Sequence, residues 1–301
     1  MTLFEELDQK LLPGFERKLI AVDGKDVLTL VGGSGPPLLM LHGDPQTHLC
    51  WHLIAPRLAE RFTVVLTDIR GRGETHKPGI SAHNIEYSKR SMAAEQLQVM
   101  SKLGFTSFSL VGHDRGARVA RRLALDHPQA VEQLAVMDVV PAYDFYKNTT
   151  AEIAQEYYYF FFLTQPHPMP EALIGGDPTG FMSEILTGLS PSQVPYDEAT
   201  LELYLKAAST PEATIAMCEC FRAGFGIDRQ HDIEDRKTQR QIQCPTLVMW
   251  GEKGIVGRHF DIRQIWDGWC KEPQYAPIQS GHFIPEEAPD EAYTALNTFL
   301  S

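Results

Sequence analysis

Short apolar stretches rich in β-branched residues alternate with helical patterns along the first half of the chain. Such alternation is typical of a parallel sheet covered by helices on both faces. Two antiparallel strands joined at Asp23-Gly24 are predicted first, over 19–22 and 27–31. Further strands are predicted over 38–41, 63–67, 107–111, 133–137, 246–250 and 274–278, and helices over 91–103 and 117–125. The fold class indicated is α/β, with a doubly wound, mostly parallel sheet.

The pattern changes after Pro141. From there to Gln241 the sequence is helical, aromatic and interrupted by prolines, and it predicts no convincing strand. We therefore expect a core formed by residues 1–140 and 241–301, with residues 141–240 inserted as an α-helical cap. Open α/β sheets bind ligands at the carboxyl ends of their strands, and we expect the cap to lie over that edge.

Composition excludes several classes of protein. The 301 residues include 27 Lys plus Arg and 39 Asp plus Glu, a net charge of −12. Because this charge repels nucleic acid and anionic lipid, neither is an expected partner. The five dispersed cysteines indicate no disulfide framework, residues 1–12 lack the apolar core of a secretion signal, and no apolar run reaches membrane-spanning length. We expect a cytoplasmic protein with reduced thiols.

The strongest motif is Gly112-His113-Asp114-Arg115-Gly116, at the junction of a predicted strand and helix. It has the form of a nucleophile elbow with an acid at its centre. Glycines two positions to either side avoid a Cβ clash in this sharp turn. A carboxylate that attacks an ester yields an anhydride, whereas attack on a saturated carbon yields an ordinary ester. Asp114 is therefore the candidate nucleophile for displacement at carbon.

Hydrolysis of that ester needs a base, and His282 follows the last predicted strand. A histidine base needs a carboxylate that orients its ring. Asp138, at the end of the strand over 133–137, is the favoured partner, although Glu252 and Asp261 compete with it on the sequence alone.

The loop His42-Gly43-Asp44 follows the first buried core strand, where backbone N–H groups can stabilise an oxyanion. His48 and His52 have helical spacing without a third ligand, so we expect no zinc site. No other metal motif is present, and we expect no metal or cofactor.

Four segments carry a resemblance to a known family. They are His-Gly-Asp-Pro-Gln-Thr-His at 42–48, Gly-His-Asp-Arg-Gly-Ala-Arg at 112–118, Arg-Leu-Ala-Leu-Asp-His-Pro at 122–128 and Gly-His-Phe-Ile-Pro-Glu-Glu-Ala-Pro at 281–289. Together they resemble the haloacetate (fluoroacetate) dehalogenases of the α/β-hydrolase superfamily, with epoxide hydrolases as the neighbouring branch. The likeness extends over almost the whole chain.

The resemblance implies a catalytic group made of Asp114 as nucleophile, His282 as base and Asp138 as its partner. It also implies that Arg115 and Arg118 bind a substrate carboxylate. Charge-assisted bonds suit this task, because a small 2-halo acid offers little other surface to hold. His42 and Asp44 are expected to contact the substrate from their loop.

Departures from the family concentrate where the leaving group is expected. The family's halide-holding His, Trp and Tyr align with Tyr159, Phe160 and Phe221. Loss of N–H donors matters most for fluoride, so fluoride release is doubtful. Tyr159 also aligns with a ring-opening tyrosine of epoxide hydrolases, whose second tyrosine is absent. Asp44 replaces an aromatic residue, and Arg72 and Glu74 in the next loop are also unusual. The Asp44 carboxylate is expected to pair with Arg115 or Arg118, or to contact a polar substrate.

The expected function is a cofactor-free hydrolase that forms an aspartyl ester with a small carboxylate-bearing electrophile, most simply a 2-haloacid. An epoxide hydrolase and a non-catalytic ligand-binding member of the fold are the alternatives. An ester or lactone hydrolase is disfavoured because the elbow lacks serine. The resemblance also implies a homodimer.

Overall fold

The computed structural model of the protein describes residues 2–189 and 196–301. Eight strands form one sheet. They are β1 (Glu16–Val22), β2 (Lys25–Gly32), β3 (Pro37–Leu41), β4 (Thr63–Thr67), β5 (Phe108–His113), β6 (Val131–Met137), β7 (Thr246–Gly251) and β8 (Gln274–Ile278). Every strand predicted from the apolar pattern is present, with ends that differ by a few residues.

The strand order across the sheet is β1-β2-β4-β3-β5-β6-β7-β8. The β1–β2 and β2–β4 pairs are antiparallel, whereas β3 to β8 pair in parallel. The predicted hairpin is confirmed, with Val22 opposite Lys25 across its turn. All six residues of β5 are buried, as expected for a central strand covered on both faces. The doubly wound, mostly parallel sheet is therefore confirmed.

Helices cover the sheet and fill the long connection between β6 and β7. The first four are α1 (Leu3–Leu11), α2 (Ala55–Leu58), α3 (Lys89–Lys102) and α4 (Asp114–Asp126). Between β6 and β7 lie α5 (Ala142–Asn148), α6 (Ala151–Glu156), α7 (Tyr158–Phe162), α8 (Met169–Ile174), α9 (Pro178–Gly188), α10 (Glu198–Ala208), α11 (Pro211–Ala223) and α12 (Arg229–Lys237). The last four are α13 (Ile255–His259), α14 (Ile262–Asp267), α15 (Ile284–Glu287) and α16 (Pro289–Phe299). We refer to α5–α12 as the cap helices.

Local sequence explains several helix ends. Thr2 and Glu5 form a reciprocal capping box at the start of α1, and the Ser88 hydroxyl caps α3. Helix α4 starts at Asp114, three residues before the predicted start at Ala117, so the candidate nucleophile occupies its first position. Three further helical turns, at His48–Trp51, Ala82–Tyr87 and Gly224–Asp228, complete the elements.

Buried ion pairs hold the cap helices to the core. On α4, Arg121 donates to Asp232 at 2.8 Å and Arg122 donates to Asp235 at 2.6 Å. Both acids lie on α12, and all four side chains are nearly inaccessible to solvent. Buried, well-bonded pairs of this kind are costly to break, so α4 links the candidate nucleophile firmly to the cap helices.

The residues that the structure describes contain no helix long and apolar enough to cross a membrane. All five cysteines are free thiols, as the sequence indicated.

Candidate active site

Asp114 stands at the turn between β5 and α4 with a φ of +46°, a conformation that residues with a Cβ rarely adopt. The flanking glycines make this turn possible. A Cβ on Gly112 would lie 2.6 Å from the Ala117 Cα, and one on Gly116 would overlap the Leu41 carbonyl oxygen. The predicted need for small residues at both positions is confirmed, and the turn presents the Asp114 side chain at the carboxyl edge of the sheet.

The Asp114 carboxylate accepts a hydrogen bond from the backbone N–H of Asp44, with 3.0 Å between N and Oδ2. Burial alone raises the pKa of the Asp114 carboxyl, but His282 and Arg115 outweigh burial and lower the pKa below its ordinary value. Gly43 allows the close approach, because a Cβ there would lie 2.7 Å from the Asp114 Cβ. The carboxylate is therefore ionised and held by the loop after β3.

His282, in the loop after β8, donates from Nδ1 to Asp138 Oδ2 over 2.6 Å. The other Asp138 oxygen accepts the Gly251 backbone N–H at 3.0 Å. Burial lowers the pKa of the His282 imidazole, but the hydrogen bond that His282 donates to the Asp138 carboxylate outweighs burial and raises that pKa above its ordinary value. This bond leaves Nε2 as the nitrogen available to take a proton.

The two competing carboxylates make other contacts. Glu252 is hydrogen-bonded to the Gln279 side chain, and Asp261 caps α14 through the Gln264 N–H at 3.0 Å. Asp138 is thus the carboxylate that the structure places against His282.

Sequence reasoning assigned no role to His113, although it stands inside the elbow motif. Its Nε2–H donates to the His282 carbonyl oxygen at 2.8 Å. Burial lowers the pKa of His113 to about 3, so the ring is neutral. Its place directly before the nucleophile was the available signal, and its role here is to position the loop that carries His282.

Arg115 and Arg118 are both buried on α4, and within the described residues neither makes an ion pair. The Arg115 guanidinium lies 3.6 Å from the Phe221 ring centre, and its Nε and Nη2 lack hydrogen-bond partners. Arg115 lines a cavity together with Asp114 and His282. It is therefore free to bind an anion.

Arg118 departs from the expected arrangement. It does not line the cavity of Asp114 but a second small space beside Lys89 and Arg121. Its guanidinium lies 5.8 Å from the Phe145 ring centre and 5.9 Å from that of Phe160. Arg118 is one helical turn beyond Arg115 on α4, yet Phe160 lines the cavity of Asp114 and Arg118 does not.

The cavity is narrow, and its walls come from both the sheet edge and the cap helices. The residues from the sheet side are Asp44, Pro45, Asp114, Arg115 and His282, and those from the cap helices are Tyr159, Phe160, Ile185, Met217 and Phe221. The three aromatic residues pack together, with 4.9 Å between the Phe160 and Phe221 ring centres. Burial raises the pKa of the Tyr159 hydroxyl well above its ordinary value, so Tyr159 offers a neutral O–H donor.

His42 does not line this cavity, contrary to its predicted contact with substrate. Its Nδ1–H donates to the Gly43 carbonyl oxygen at 2.8 Å, and its Nε2 accepts the Ile69 N–H at 3.0 Å. Both ring nitrogens are therefore used by the backbone of the two loops, and the ring is fully buried. His42 supports the loop that carries Asp44 instead of touching a ligand.

Asp44 does line the cavity, but it does not pair with Arg115 or Arg118. Its carboxylate accepts from Nε and Nη2 of Arg72, a buried residue of the loop after β4. The two residues noted separately as unusual in the sequence thus form one ion pair.

A parallel sheet with a strand-to-helix elbow, a histidine after the last strand and helices over the site defines an α/β hydrolase. The α/β hydrolase fold family matches residues 36–289, and the chain belongs to this family. The chain is 40% identical to fluoroacetate dehalogenase of Burkholderia sp., over 97% of this chain and 95% of the relative. It is a haloacetate-dehalogenase-like hydrolase.

Two further relatives place the chain more broadly. Soluble epoxide hydrolase of Corynebacterium sp. (strain C12) is 30% identical over 92% of this chain and 95% of its own. The crystal structure of an α/β hydrolase from Nostoc sp. PCC 7120 is 45% identical, covers 97% of this chain and 99% of its own, and superposes with a TM-score of 0.93. Dehalogenase and epoxide hydrolase chemistry both occur among the relatives.

Proposed function

We propose that the protein hydrolyses small 2-halo carboxylic acids through an ester intermediate on Asp114. The observation that carries this proposal is the content of one small cavity. It holds an ionised Asp114, a His282 imidazole bonded to Asp138, and an Arg115 guanidinium with unused N–H groups. These groups match a nucleophile, a base and a carboxylate-binding cation.

In the first step Arg115 binds the substrate carboxylate, and an Asp114 oxygen attacks the carbon that bears the halogen. A C–O bond forms as the carbon–halogen bond breaks, and the halide leaves with the bonding pair. Arg115 follows Asp114 directly on α4, so the two groups hold the small acid in line for displacement.

In the second step His282 Nε2 takes a proton from water, and the hydroxide adds to the Asp114 ester carbonyl carbon. The Asp44 N–H, 3.0 Å from Asp114 Oδ2 in the free enzyme, stabilises the oxyanion. The ester C–O bond then breaks, the departing alkoxide takes the proton from His282, and the Asp114 carboxylic acid that remains loses its proton to the neutral His282 Nε2 and from there to solvent. The product is a 2-hydroxy acid.

The leaving group faces Tyr159, Phe160 and Phe221 in this proposal. Tyr159 supplies one O–H donor, and the two phenyl rings supply none. Bromide and iodide need little hydrogen bonding to leave, whereas fluoride needs much. We therefore propose faster release of bromide or iodide than of fluoride.

The test is mass spectrometry of a His282→Ala variant after exposure to bromoacetate. We expect a carboxymethyl ester on the peptide that contains Asp114, because alkylation proceeds and hydrolysis does not. An Asp114→Asn/His282→Ala variant is the control and is expected to stay unmodified. The ester mechanism would be refuted if wild type releases bromide from bromoacetate while the Asp114 peptide of His282→Ala stays unmodified.

Epoxide hydrolysis is the second candidate, and the Tyr159 hydroxyl in the cavity favours it. In that reaction Asp114 attacks an epoxide carbon and Tyr159 donates its proton to the opening oxygen. A panel of epoxides assayed for diol separates the two reactions. Diol formation without halide release from haloacids, lost in Tyr159→Phe, would favour the epoxide reaction.

We further propose residues 141–240 as a discrete cap domain, a homodimeric assembly and a cytoplasmic location. Light scattering of the purified protein tests the assembly, since a monomer at micromolar concentration would refute it. Fractionation of the native host tests the location.

A further inference from the structure

The Asp44–Arg72 ion pair lies at the carboxyl edge of two neighbouring strands. Asp44 follows β3, Arg72 follows β4, and these strands pair in parallel. Both side chains are more than 90% buried, and Asp44 forms part of the wall of the cavity that holds Asp114. The mechanism above uses the Asp44 backbone N–H and leaves this pair without a role.

Arg72 neutralises the Asp44 carboxylate. Its Nε and Nη2 both donate to Asp44, and its Nη1 donates to the Gly71 carbonyl oxygen at 2.9 Å. Asp44 and Arg115 line the same cavity. Without Arg72, the carboxylate of Asp44 would attract Arg115 and repel an anionic substrate. The pair therefore leaves Arg115 free to bind a substrate carboxylate.

The paired carboxylate still accepts hydrogen bonds. Two carboxylate oxygens offer about four lone-pair directions, and the two bonds from Arg72 use two of them. Phe160, Phe221 and Met217 contribute apolar surface to the same cavity, and Tyr159 contributes a donor. Among the described residues of the cavity wall, the Asp44 carboxylate is thus the charged hydrogen-bond acceptor that remains beside the reacting groups Asp114 and His282.

We propose that the Asp44–Arg72 pair is a specificity element for acids with an O–H or N–H donor next to the attacked carbon. The substrate class is 2-halo-3-hydroxy acids and their 3-amino counterparts. Arg115 binds the substrate carboxylate, and Asp114 attacks the carbon that bears the halogen. Asp44 accepts a hydrogen bond from the O–H or N–H group next to that carbon. This inference rests on the proposed function for its substrate class, while its binding component is independent of turnover.

The expected difference in affinity follows from the hydrogen bond that the ligand donates to the Asp44 carboxylate. A hydrogen bond to an ionised acceptor changes affinity by roughly 10- to 100-fold. An apolar group of the same size in that place leaves the acceptor unpaired. 3-Hydroxypropionate and butanoate form a suitable binding pair, since O–H replaces methyl. 2-Bromo-3-hydroxypropionate and 2-bromobutanoate form the corresponding reactive pair.

The experiment compares wild type with Asp44→Leu/Arg72→Met, in which both charges are removed together. Calorimetry should show 3-hydroxypropionate binding at least tenfold tighter than butanoate to wild type and about equally to the double variant. Bromide release should show the same change in the kcat/KM ratio of the two bromo acids. The single Arg72→Met variant should raise KM for both acids at least tenfold, because Asp44 is then an unpaired anion.

Arg70→Met/Glu95→Leu is the matched control, because it removes another buried ion pair that lies outside the cavity wall. It should keep the preference of wild type, and thermal melts of all variants report whether they fold. Equal binding of the two unreactive acids to wild type would overturn the inference, as would an unchanged preference in the folded double variant. Preferred binding without any bromide release would refute the proposed reaction and leave the inference standing.

Discussion

Replacement of Arg115 by methionine should make the free enzyme more stable and almost inactive on haloacids. Arg115 is about 1% exposed, and within the described part of the chain no carboxylate pairs with it. The Asp114 carboxylate favours the charged Arg115 guanidinium, but a buried charge without a hydrogen-bonded partner opposes folding, and the same charge binds a substrate carboxylate. Stability and activity are therefore expected to change in opposite directions.

The magnitudes follow from the contacts. Two Arg115 nitrogens lack hydrogen-bond partners, and each unsatisfied buried group costs about 1–3 kcal/mol. Loss of the cation–π contact with Phe221, 3.6 Å from the guanidinium, offsets about 1–2 kcal/mol of that gain. The net expectation is about 1–4 kcal/mol of added stability. Loss of two charge-assisted hydrogen bonds to the substrate lowers kcat/KM roughly 10²- to 10³-fold.

Urea denaturation gives the free energy of unfolding, and bromide release from bromoacetate gives kcat/KM. Arg122→Met is the control on the same helix, because Arg122 is similarly buried but is bonded to Asp232 and Asp235. Breaking that pair should destabilise the protein by about 3–5 kcal/mol. Acetate should stabilise wild type and leave Arg115→Met unaffected.

An Arg115→Met variant that is as destabilised as Arg122→Met would show that Arg115 has a stabilising partner in solution. Retained haloacid turnover would show that another group binds the carboxylate.

Three further predictions follow from the site and its surroundings. Asp138→Asn should slow hydrolysis of the Asp114 ester roughly 10²- to 10⁴-fold while alkylation of Asp114 continues. Rapid-quench mass spectrometry should therefore find the ester accumulating. Equal slowing of both steps would contradict this prediction. Because the pKa of His282 is raised above 6.5 and the base must be neutral, kcat should rise with pH through a value above 6.5; a flat profile from pH 6 to 9 would contradict it. Although burial lowers the pKa of His48, its hydrogen bonds to Asp68 and Asp8, 2.8 Å each, raise that pKa to about 10. The contribution of His48 to the free energy of unfolding is therefore complete below pH 6.5 and lost as pH rises through 10. In urea denaturation, His48→Leu should cost about 3–5 kcal/mol at pH 7 and much less at pH 10.5.

The sheet and the elbow were predictable because their causes are local in the chain. Continuous apolar runs specify buried parallel strands, and β5 is buried at every position. The glycines at 112 and 116 report a turn that no larger residue permits. Asp114, whose φ is +46°, therefore stands where its motif placed it.

Side-chain pairing across the sheet edge was not predictable in the same way. The positions of Asp138, Glu252 and Asp261 in the sequence left all three as competing partners for His282. The resemblance to dehalogenases favoured Asp138. The structure joins Asp138 to a histidine 144 residues away and gives the other two carboxylates different partners. Hydrophobic periodicity contains no information about which of several exposed strand ends meet.

By itself, then, the sequence determined the α/β sheet and the turn at Asp114, because short-range sterics and apolar burial decide these. Only the tertiary structure decided that Arg72 pairs with Asp44, that His42 bonds to the loop backbone, and that Arg118 lines a different space from Asp114. These outcomes depend on which charges meet in a space enclosed by loops and cap helices. A buried ion takes whichever partner geometry brings within hydrogen-bonding distance, and that geometry exists only in the folded chain.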